Sequence, residues 1–520
     1  MKKIKILDST LRDGAQSESI SFSVSDKLKI ISVLDDMGVD YIEAGNPGSN
    51  PKDLEFFDLA AKTNMKTAKL CAFGSTRRKN LRAEEDDNVL SLLKANTDVV
   101  VIFGKSWDLH IREILRTTPD DNLNLIRDTI EFFKNKGKEV IYDAEHFFDG
   151  YRSNRSCALD SLLAAAQAGV DSLCLCDTNG GCLPSEVFRI TQEVTAMFPN
   201  LPIGIHCHND IDCAVASSMI AVDAGAKQVQ GTFIGIGERC GNADLSVIIP
   251  NLQLKQGYQC ISSDLSMLSE AVFAISEIAN VPVPMNKPYV GQSAFAHKGG
   301  MHIDGVCKCS HSFEHVDPAQ VGNKRRFLMS EVSGRTTVLA KVKNIAPELS
   351  KDSPETALIV QKLKEMEHEG YQFESADASF EMMVLNVLGR FKPHFKLNMY
   401  KTSGEWPNPD GTMSAYAVLI IDVNGKTETA ASTGNGPVNA LDLALRKALA
   451  VFFPELSRIQ LIDYKVRVLT AEKGSAAKVR VLMESTNGER SWTTVGVSTD
   501  IIQASWLALV DSIEYILNGL

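Results

Sequence analysis

Ile203-Gly-Ile-His-Cys-His-Asn-Asp210 joins a short apolar run to two histidines and a polar tail. A run of this length, rich in β-branched residues, reads as a buried strand. Its polar residues gather at the C-terminal end. The same arrangement recurs through the first half of the chain. Strand-like runs at 4–7, 41–43, 68–72, 98–103, 139–142, 172–176, 203–206 and 228–231 alternate with helical patterns such as 25–37, 159–168, 184–197 and 214–225. About eight strands in about 260 residues, each followed by a helix, fit an α/β fold of the (β/α)8 TIM-barrel type, with a doubly wound open sheet as the alternative. Asp8, Glu43, Glu145, Asp177, His206 and His208 all lie at or just beyond the C-terminal ends of these runs. That favours the barrel, because barrels build their active sites at this end.

The chain has 520 residues, with 54 Lys and Arg against 65 Asp and Glu, a net charge of -11. This balance argues against nucleic-acid or membrane-surface binding over the whole chain. The cysteines number eleven and are scattered. No apolar run approaches the roughly 20 residues of a membrane span, and Met1-Lys-Lys-Ile-Lys-Ile6 runs straight into a strand rather than a signal peptide. The expectation is a reduced, cytoplasmic protein.

The barrel is expected over 1–280. Val281-Pro-Val-Pro-Met-Asn-Lys-Pro288 stops regular structure with three prolines. A helical linker region follows over 281–395, with helices at 337–344 and 355–370, and then an α+β domain over 396–520. In that last part, Asn424-Gly425, Gly436 and a helix at 438–450 are echoed roughly 60 residues later by Asn487-Gly488, Gly496 and a helix at 500–517. Lys-Val-Arg-Val-Leu occurs at both 465–469 and 478–482. Two strand–strand–helix halves are expected. With few clustered His or carboxylates, they read as a sensing or assembly domain.

Two histidines at i and i+2 on a strand point to the same side. His206 and His208 can therefore meet one metal, while Cys207 points the opposite way. Asp8-Ser-Thr-Leu-Arg-Asp-Gly-Ala-Gln16 follows the first strand. There Asp13 is a carboxylate ligand and Arg12 a cation that can bind an oxyanion or polarise a carbonyl. Gly235-Ile-Gly-Glu-Arg-Cys-Gly-Asn242 follows the eighth strand. Its glycines let backbone amides approach a ligand, and Asn242 is a plausible fourth ligand. Ala144-Glu-His146 and Cys176-Asp-Thr-Asn-Gly180 end two further strands, and either can supply a general base or a donor to a substrate carboxylate. His297-Lys-Gly-Gly-Met-His302 lies beyond the barrel. Cys174-x-Cys176 and Cys307-x-Cys309 lack the usual zinc spacing, so the cysteines read as structural.

The motifs at 8–16, 206–210 and 235–242 together resemble the isopropylmalate/homocitrate/citramalate synthase family, metal-dependent barrels that condense acetyl-CoA with 2-oxo acids. The resemblance runs over essentially the whole chain. Residues 143–150 and 176–181 resemble most the branch that takes pyruvate on the way to isoleucine. The resemblance implies a divalent metal (Mn, Zn or Mg) on Asp13, His206, His208 and Asn242. It implies Arg12 polarising the ketone, Thr178 and Gln16 contacting the oxo acid, and Glu145 and His302 as the acid/base pair. Gly235, Gly237, Glu238 and Gly241 would serve the acetyl-CoA. It also implies a homodimer and an isoleucine-sensing C-terminal domain. One departure is plain: the family usually places Tyr where Ser312-Phe-Glu314 has Phe313. Sister synthases using 2-oxoisovalerate or 2-oxoglutarate are the alternatives. From another class, a catalytically inactive metal-binding regulator is the third.

Overall fold

The computed structural model describes residues 2–48, 50–329, 334–405, 414–469, 474 and 476–520. They form two compact units. One runs to Phe295 and includes His315–Lys324; the other comprises Ala296–Glu314 and Arg325–Leu520.

The first unit is a closed parallel barrel of eight strands in chain order. These are β1 (Lys5–Asp8), β2 (Tyr41–Gly45), β3 (Lys69–Ser75), β4 (Val99–Lys105), β5 (Glu139–Glu145), β6 (Ser172–Asp177), β7 (Ile203–Cys207) and β8 (Gln228–Gly231). Closure is made by β1 on β8, with Lys5 opposite Gln228 and Asp8 opposite Gly231. Around it lie α1 (Val24–Met37), α2 (Pro51–Ala60), α3 (Asp87–Lys94), α4 (Pro119–Asn135), α5 (Phe147–Ser153), α6 (Arg155–Gln167), α7 (Pro184–Met197), α8 (Ala214–Asp223), α9 (Leu245–Pro250) and α10 (Leu268–Ala279). Local chemistry sets their ends. Ser23 and Asp26 form a capping box at the start of α1, and Gly38 closes it in the left-handed region at φ 75°. Pro119 opens α4 behind a Thr118 cap.

Alternation sorts the strand residues into two cores. Ile6, Ile42, Val100, Ile102, Val140 and Ile205 face the helices in the large outer cluster. Leu7, Tyr41, Cys71, Val99, Val101 and Ile141 fill the barrel's middle. Cys207 sits in the outer cluster, opposite to its histidine neighbours, as its position on the strand requires.

The second unit begins with β9 (Ala296–His297), α11 (Gly300–Lys308) and β10 (Arg326–Phe327), which pairs with β9. Helices α12 (Arg335–Val342), α13 (Pro354–Glu369) and α14 (Asp377–Val387) share a core around Val338, Ile359, Leu363 and Phe380. Two repeats follow. In the first, β11 (Lys396–Glu405), β12 (Ser414–Val423) and β13 (Lys426–Gly434) precede α15 (Pro437–Leu449). In the second, β14 (Gln460–Val468), β15 (Val479–Thr486) and β16 (Ser491–Ser498) precede α16 (Ile501–Leu517). Each half therefore has three strands, which corrects the strand–strand–helix expectation. The first strand of each half shows weak alternation and is set by pairing with its neighbour. The Lys-Val-Arg-Val-Leu echo is not the repeat. Its copies lie on the adjacent antiparallel strands β14 and β15, with Arg467 opposite Arg480. Among the described residues, no helix is long and apolar enough to cross a membrane.

Candidate active site

Seven side chains at the C-terminal end of the barrel interlock. The loop after β1 turns back on Ser9, whose carbonyl accepts from the amides of Arg12, Asp13 and Gly14. This places two successive charged side chains over the barrel axis. Arg12 Nε donates to Glu43, and Arg12 Nη1 donates to Asp13 Oδ2 at 3.0 Å. Ser9 Oγ also donates to Glu43, at 2.6 Å. The guanidinium lies 3.8 Å from the Phe73 ring centroid. Burial alone disfavours a buried cation, but Glu43 and Asp13 raise the Arg12 pKa above its usual value. Arg12 is a fixed charge here.

Asp13 Oδ2 faces His206 Nε2 at 3.3 Å and His208 Nε2 at 3.7 Å. Burial opposes its charge, yet Arg12 and the two histidines hold the Asp13 carboxyl well below the ordinary range. The histidines diverge. Burial works against a charged His206, but Asp13 outweighs it and the pKa rises. Burial and the neighbouring His206 push His208 down to about 4, so it stands neutral near pH 7. The loop after β8 is laced to the end of β7. Asn209 N donates to Gly241 O at 2.9 Å, and Ala243 N donates to Cys207 O at 2.9 Å. A backbone bridge sets Asn242 opposite His208.

Four buried polar atoms in this group, Asp13 Oδ1, Glu43 Oε2, His208 Nδ1 and Asn242 Oδ1, have no hydrogen-bond partner among the described residues. Buried polar atoms are normally paired. Ligand atoms of Asp13, His206 and His208 lie within 4.8 Å of one another. A carboxylate, two imidazoles and an amide oxygen form a mixed N/O donor set that suits a divalent cation. The residues present fit the metal that the sequence implies.

A cavity of about 220 Å³ opens above them. Arg12, Asp13, Gln16, Thr178, His206 and His208 all line it, together with Glu145 and Glu238. Phe73 and Phe103, stacked at 5.1 Å, form an apolar part of the wall. Thr178 Oγ1 accepts from His146 N at 2.9 Å, which leaves its own proton free to donate. Glu145 is ion-paired with Lys105.

The HMGL-like family model matches residues 3–274. A homocitrate synthase post-HMGL domain-like model matches 289–371, and a LeuA allosteric (dimerisation) domain model matches 374–517. The chain is 52 % identical to an (R)-citramalate synthase of Aquifex aeolicus, over 99 % of this chain and 98 % of that one. An (R)-citramalate synthase of Geobacter sulfurreducens is 47 % identical over 100 % and 98 %. The chain belongs to the (R)-citramalate synthase family. A probable 2-isopropylmalate synthase of Methanopyrus kandleri is more distant, at 32 % identity over 98 % of each chain.

Within this family member, several sequence-level candidates have structural jobs. Asp8 accepts from the Thr10 amide and hydroxyl. Asp177 accepts from Cys182 N at 3.0 Å. The loop glycines mainly serve the loop itself. A Cβ on Gly237 would lie 2.1 Å from Asn242 Nδ2, and one on Gly241 would lie 2.1 Å from Gly235 O. Only without side chains at these positions can the loop close tightly enough to present Asn242. Asp143, Cys174 and Cys176 also lie within 4.8 Å of one another. Burial pushes both thiols up, Cys176 to about 11, so they pack here as neutral groups.

His302 lies on α11 in the second unit. Its ring stacks on Phe313 at 4.2 Å and 22°. Gly305 makes room for that ring, since a Cβ there would lie 2.5 Å from Phe313 Cε2. The adjacent Glu314 is buried and bonded to His297 Nε2 at 3.0 Å and to Arg325.

Sequence reasoning missed a supporting pair. His206 Nδ1 donates to Gln230 Oε1 at 3.0 Å, and Gln230 Nε2 donates to Asp143 Oδ1 at 2.9 Å. This fixes the imidazole tautomer and turns Nε2 toward Asp13. The alternating Gln228-Val-Gln230 on β8 was the available signal, since amides inside a barrel need partners.

Proposed function

We propose that the chain is an (R)-citramalate synthase, condensing acetyl-CoA with pyruvate to give citramalate and CoA. The observation that carries this reading is full-length identity of about half to (R)-citramalate synthases, joined to an intact Arg12, Asp13, His206, His208 and Asn242 constellation. Asp13, His206, His208 and Asn242 would hold a divalent Mn, Zn or Mg ion. When bound, such an ion acts as a Lewis acid toward carbonyl and carboxylate oxygens.

The chain's own groups do the rest. Thr178 donates its free hydroxyl proton to the pyruvate carboxylate, with Gln16 alongside. Arg12, held by Glu43 and Asp13, donates to the ketone oxygen and stabilises the alkoxide that develops there. Glu145 takes a proton from the acetyl methyl group. The resulting carbanion forms the new bond to the ketone carbon, and His302 returns a proton to the alkoxide. Water then cleaves the thioester and CoA leaves as a thiol. The small cavity with its Phe73 and Phe103 wall supports a small oxo acid.

In this reading residues 1–280 carry the metal and pyruvate. Residues 281–395 bring His302, from this chain or from the second copy in a homodimer. Residues 396–520 bind isoleucine as an inhibitor, and the enzyme works in the cytoplasm.

The test is thiol release from acetyl-CoA with added metal, comparing pyruvate, 2-oxoisovalerate and 2-oxoglutarate. Strong preference for pyruvate is expected. Preference for 2-oxoisovalerate would move the chain to the sister activity named for its 32 % relative. No release with any acid would favour an inactive regulator and turn attention to Phe313.

A further inference from the structure

Thr178, which would meet the pyruvate carboxylate, is itself held from two sides. It follows β6 directly, is half-buried and lines the cavity. Its hydroxyl accepts from His146 N at 2.9 Å. Its carbonyl accepts from Arg239 Nη2 at 2.7 Å. His146 stands just past the end of β5, and Arg239 lies in the loop after β8. Three strand ends therefore converge on one threonine.

Both donors sit in the left-handed region, His146 at φ 55° and Arg239 at φ 57°. That region is uncommon for residues other than glycine, and such backbones persist where the surroundings over-determine them. The surroundings do so here. The His146 ring is buried, its centroid lies 4.3 Å from that of His110, and its Nδ1 meets Asp149 Oδ2 at 3.2 Å. Asp149 also accepts from Arg152 Nη2 at 2.8 Å and from Asn179 Nδ2 at 2.9 Å. One carboxylate thus anchors the residue that donates to Thr178 and the residue that follows Thr178. Arg239 is fixed in a similar manner. Its Nε and Nη2 reach the two carboxylate oxygens of Asp210 at 2.8 and 3.1 Å.

A threonine hydroxyl has one proton and two lone pairs. An amide N–H aimed at one lone pair turns the proton away from His146. That proton has no acceptor among the described residues. We propose that His146 and Arg239 are positioning residues, which act through Thr178 to aim its hydroxyl at the carboxylate of the 2-oxo acid. His146 sets the rotation of the hydroxyl through its backbone, and its ring holds that backbone in place. Arg239 fixes the main chain that carries the hydroxyl. This rests on the reading of Thr178 as the contact of the pyruvate carboxylate. A donor ordered before the substrate arrives lowers the ordering cost of binding.

The test measures pyruvate affinity by calorimetry on the full-length chain loaded with Mn²⁺, with thiol release as the second readout. His146→Val places a β-branched side chain on a left-handed backbone, so the amide should leave Thr178. Affinity should fall about tenfold, the loss of one well-placed hydrogen bond. His146→Gly should recover most of it, since glycine adopts that backbone readily. Arg239→Ala, at an exposed side chain, should weaken pyruvate by about three- to tenfold and keeps the test open if His146→Val does not fold. The KM for acetyl-CoA should not rise in either. In a Thr178→Ala background, both substitutions should lose most of their effect, because residues that act through a shared partner are not additive. Losses that add in full in that background, or a His146→Gly chain as weak as His146→Val, would overturn the proposal. So would a Thr178→Ala chain that binds pyruvate as tightly as wild type. Pyruvate binding that follows the expected pattern without thiol release from acetyl-CoA would leave the positioning role standing and remove the condensation reading. A wild-type chain that does not bind pyruvate would remove both.

Discussion

Both ends of the barrel carry charge and treat it differently: at the N-terminal end Lys5 and Lys69 are exposed and Glu139 is half-buried, whereas Asp13, Glu43, His206 and His208 at the C-terminal end are buried. At the N-terminal end, Lys5 Nζ donates to Tyr41 Oη at 2.6 Å, Tyr41 Oη donates to Glu139 Oε1 at 2.6 Å, and Lys69 Nζ donates to Glu139 Oε2 at 2.8 Å. Every charge there has a partner, so the cluster closes on itself. At the C-terminal end, Arg12, Asp13, Glu43, His206 and His208 also interlock, but Asp13 Oδ1, Glu43 Oε2, His208 Nδ1 and Asn242 Oδ1 are left over. A paired cluster seals a barrel. A cluster with donor atoms to spare, packed within a few ångströms, is built for something that brings positive charge.

Three substitutions sharpen this contrast. Asp13→Ala has the largest expected effect, because it removes a carboxylate of the proposed metal centre and the anchor of Arg12 together. Turnover should fall by about a thousandfold or more, read by thiol release. Retained turnover would mean the cluster is only structural. Gln230→Leu should act at intermediate strength. It leaves every ligand in place but frees the His206 ring, and metal affinity should drop by about 10–100-fold, measured by Mn²⁺ paramagnetic resonance. An unchanged affinity with a lowered melting temperature would reduce Gln230 to packing. Tyr41→Phe, at the sealed end, should have the smallest effect. It should cost about 1–2 kcal/mol in urea unfolding and leave turnover untouched; a change in turnover would join the two ends into one system.

The sequence legibility of the molecule follows the same division. The barrel strands could be read because each is a short apolar run between helical patterns, and β7 and β8 begin where the runs at 203 and 228 begin. The His206, His208 and Asp13 group could be read because strand periodicity and barrel topology bring strand ends together. Glu43 as the clamp on Arg12, Lys105 on Glu145, and the chain from His206 through Gln230 to Asp143 could not. Lys105 with Glu145 and His206 with Gln230 meet on neighbouring strands far apart in sequence, while Gln230 to Asp143, 87 residues apart, runs between β8 and β5 across the barrel. Strand pairing and packing inside the barrel, not local pattern, create them. The glycines at 235, 237 and 241 also have a role within their own loop. Their spacing signals a close approach, and within the loop Asn242 and the Gly235 carbonyl are what approach Gly237 and Gly241. In the second unit, the paired glycine turns marked the repeat correctly, while the first strand of each half went unseen.

The most direct test of the account is to count bound ions. The full-length chain, stripped of metal and dialysed against Mn²⁺, should bind one ion per chain. Asp13→Ala should abolish that binding and Tyr41→Phe should preserve it. An Asp13→Ala chain that still binds one ion, or a wild-type chain that binds none, would contradict the reading of the C-terminal cluster as a metal centre.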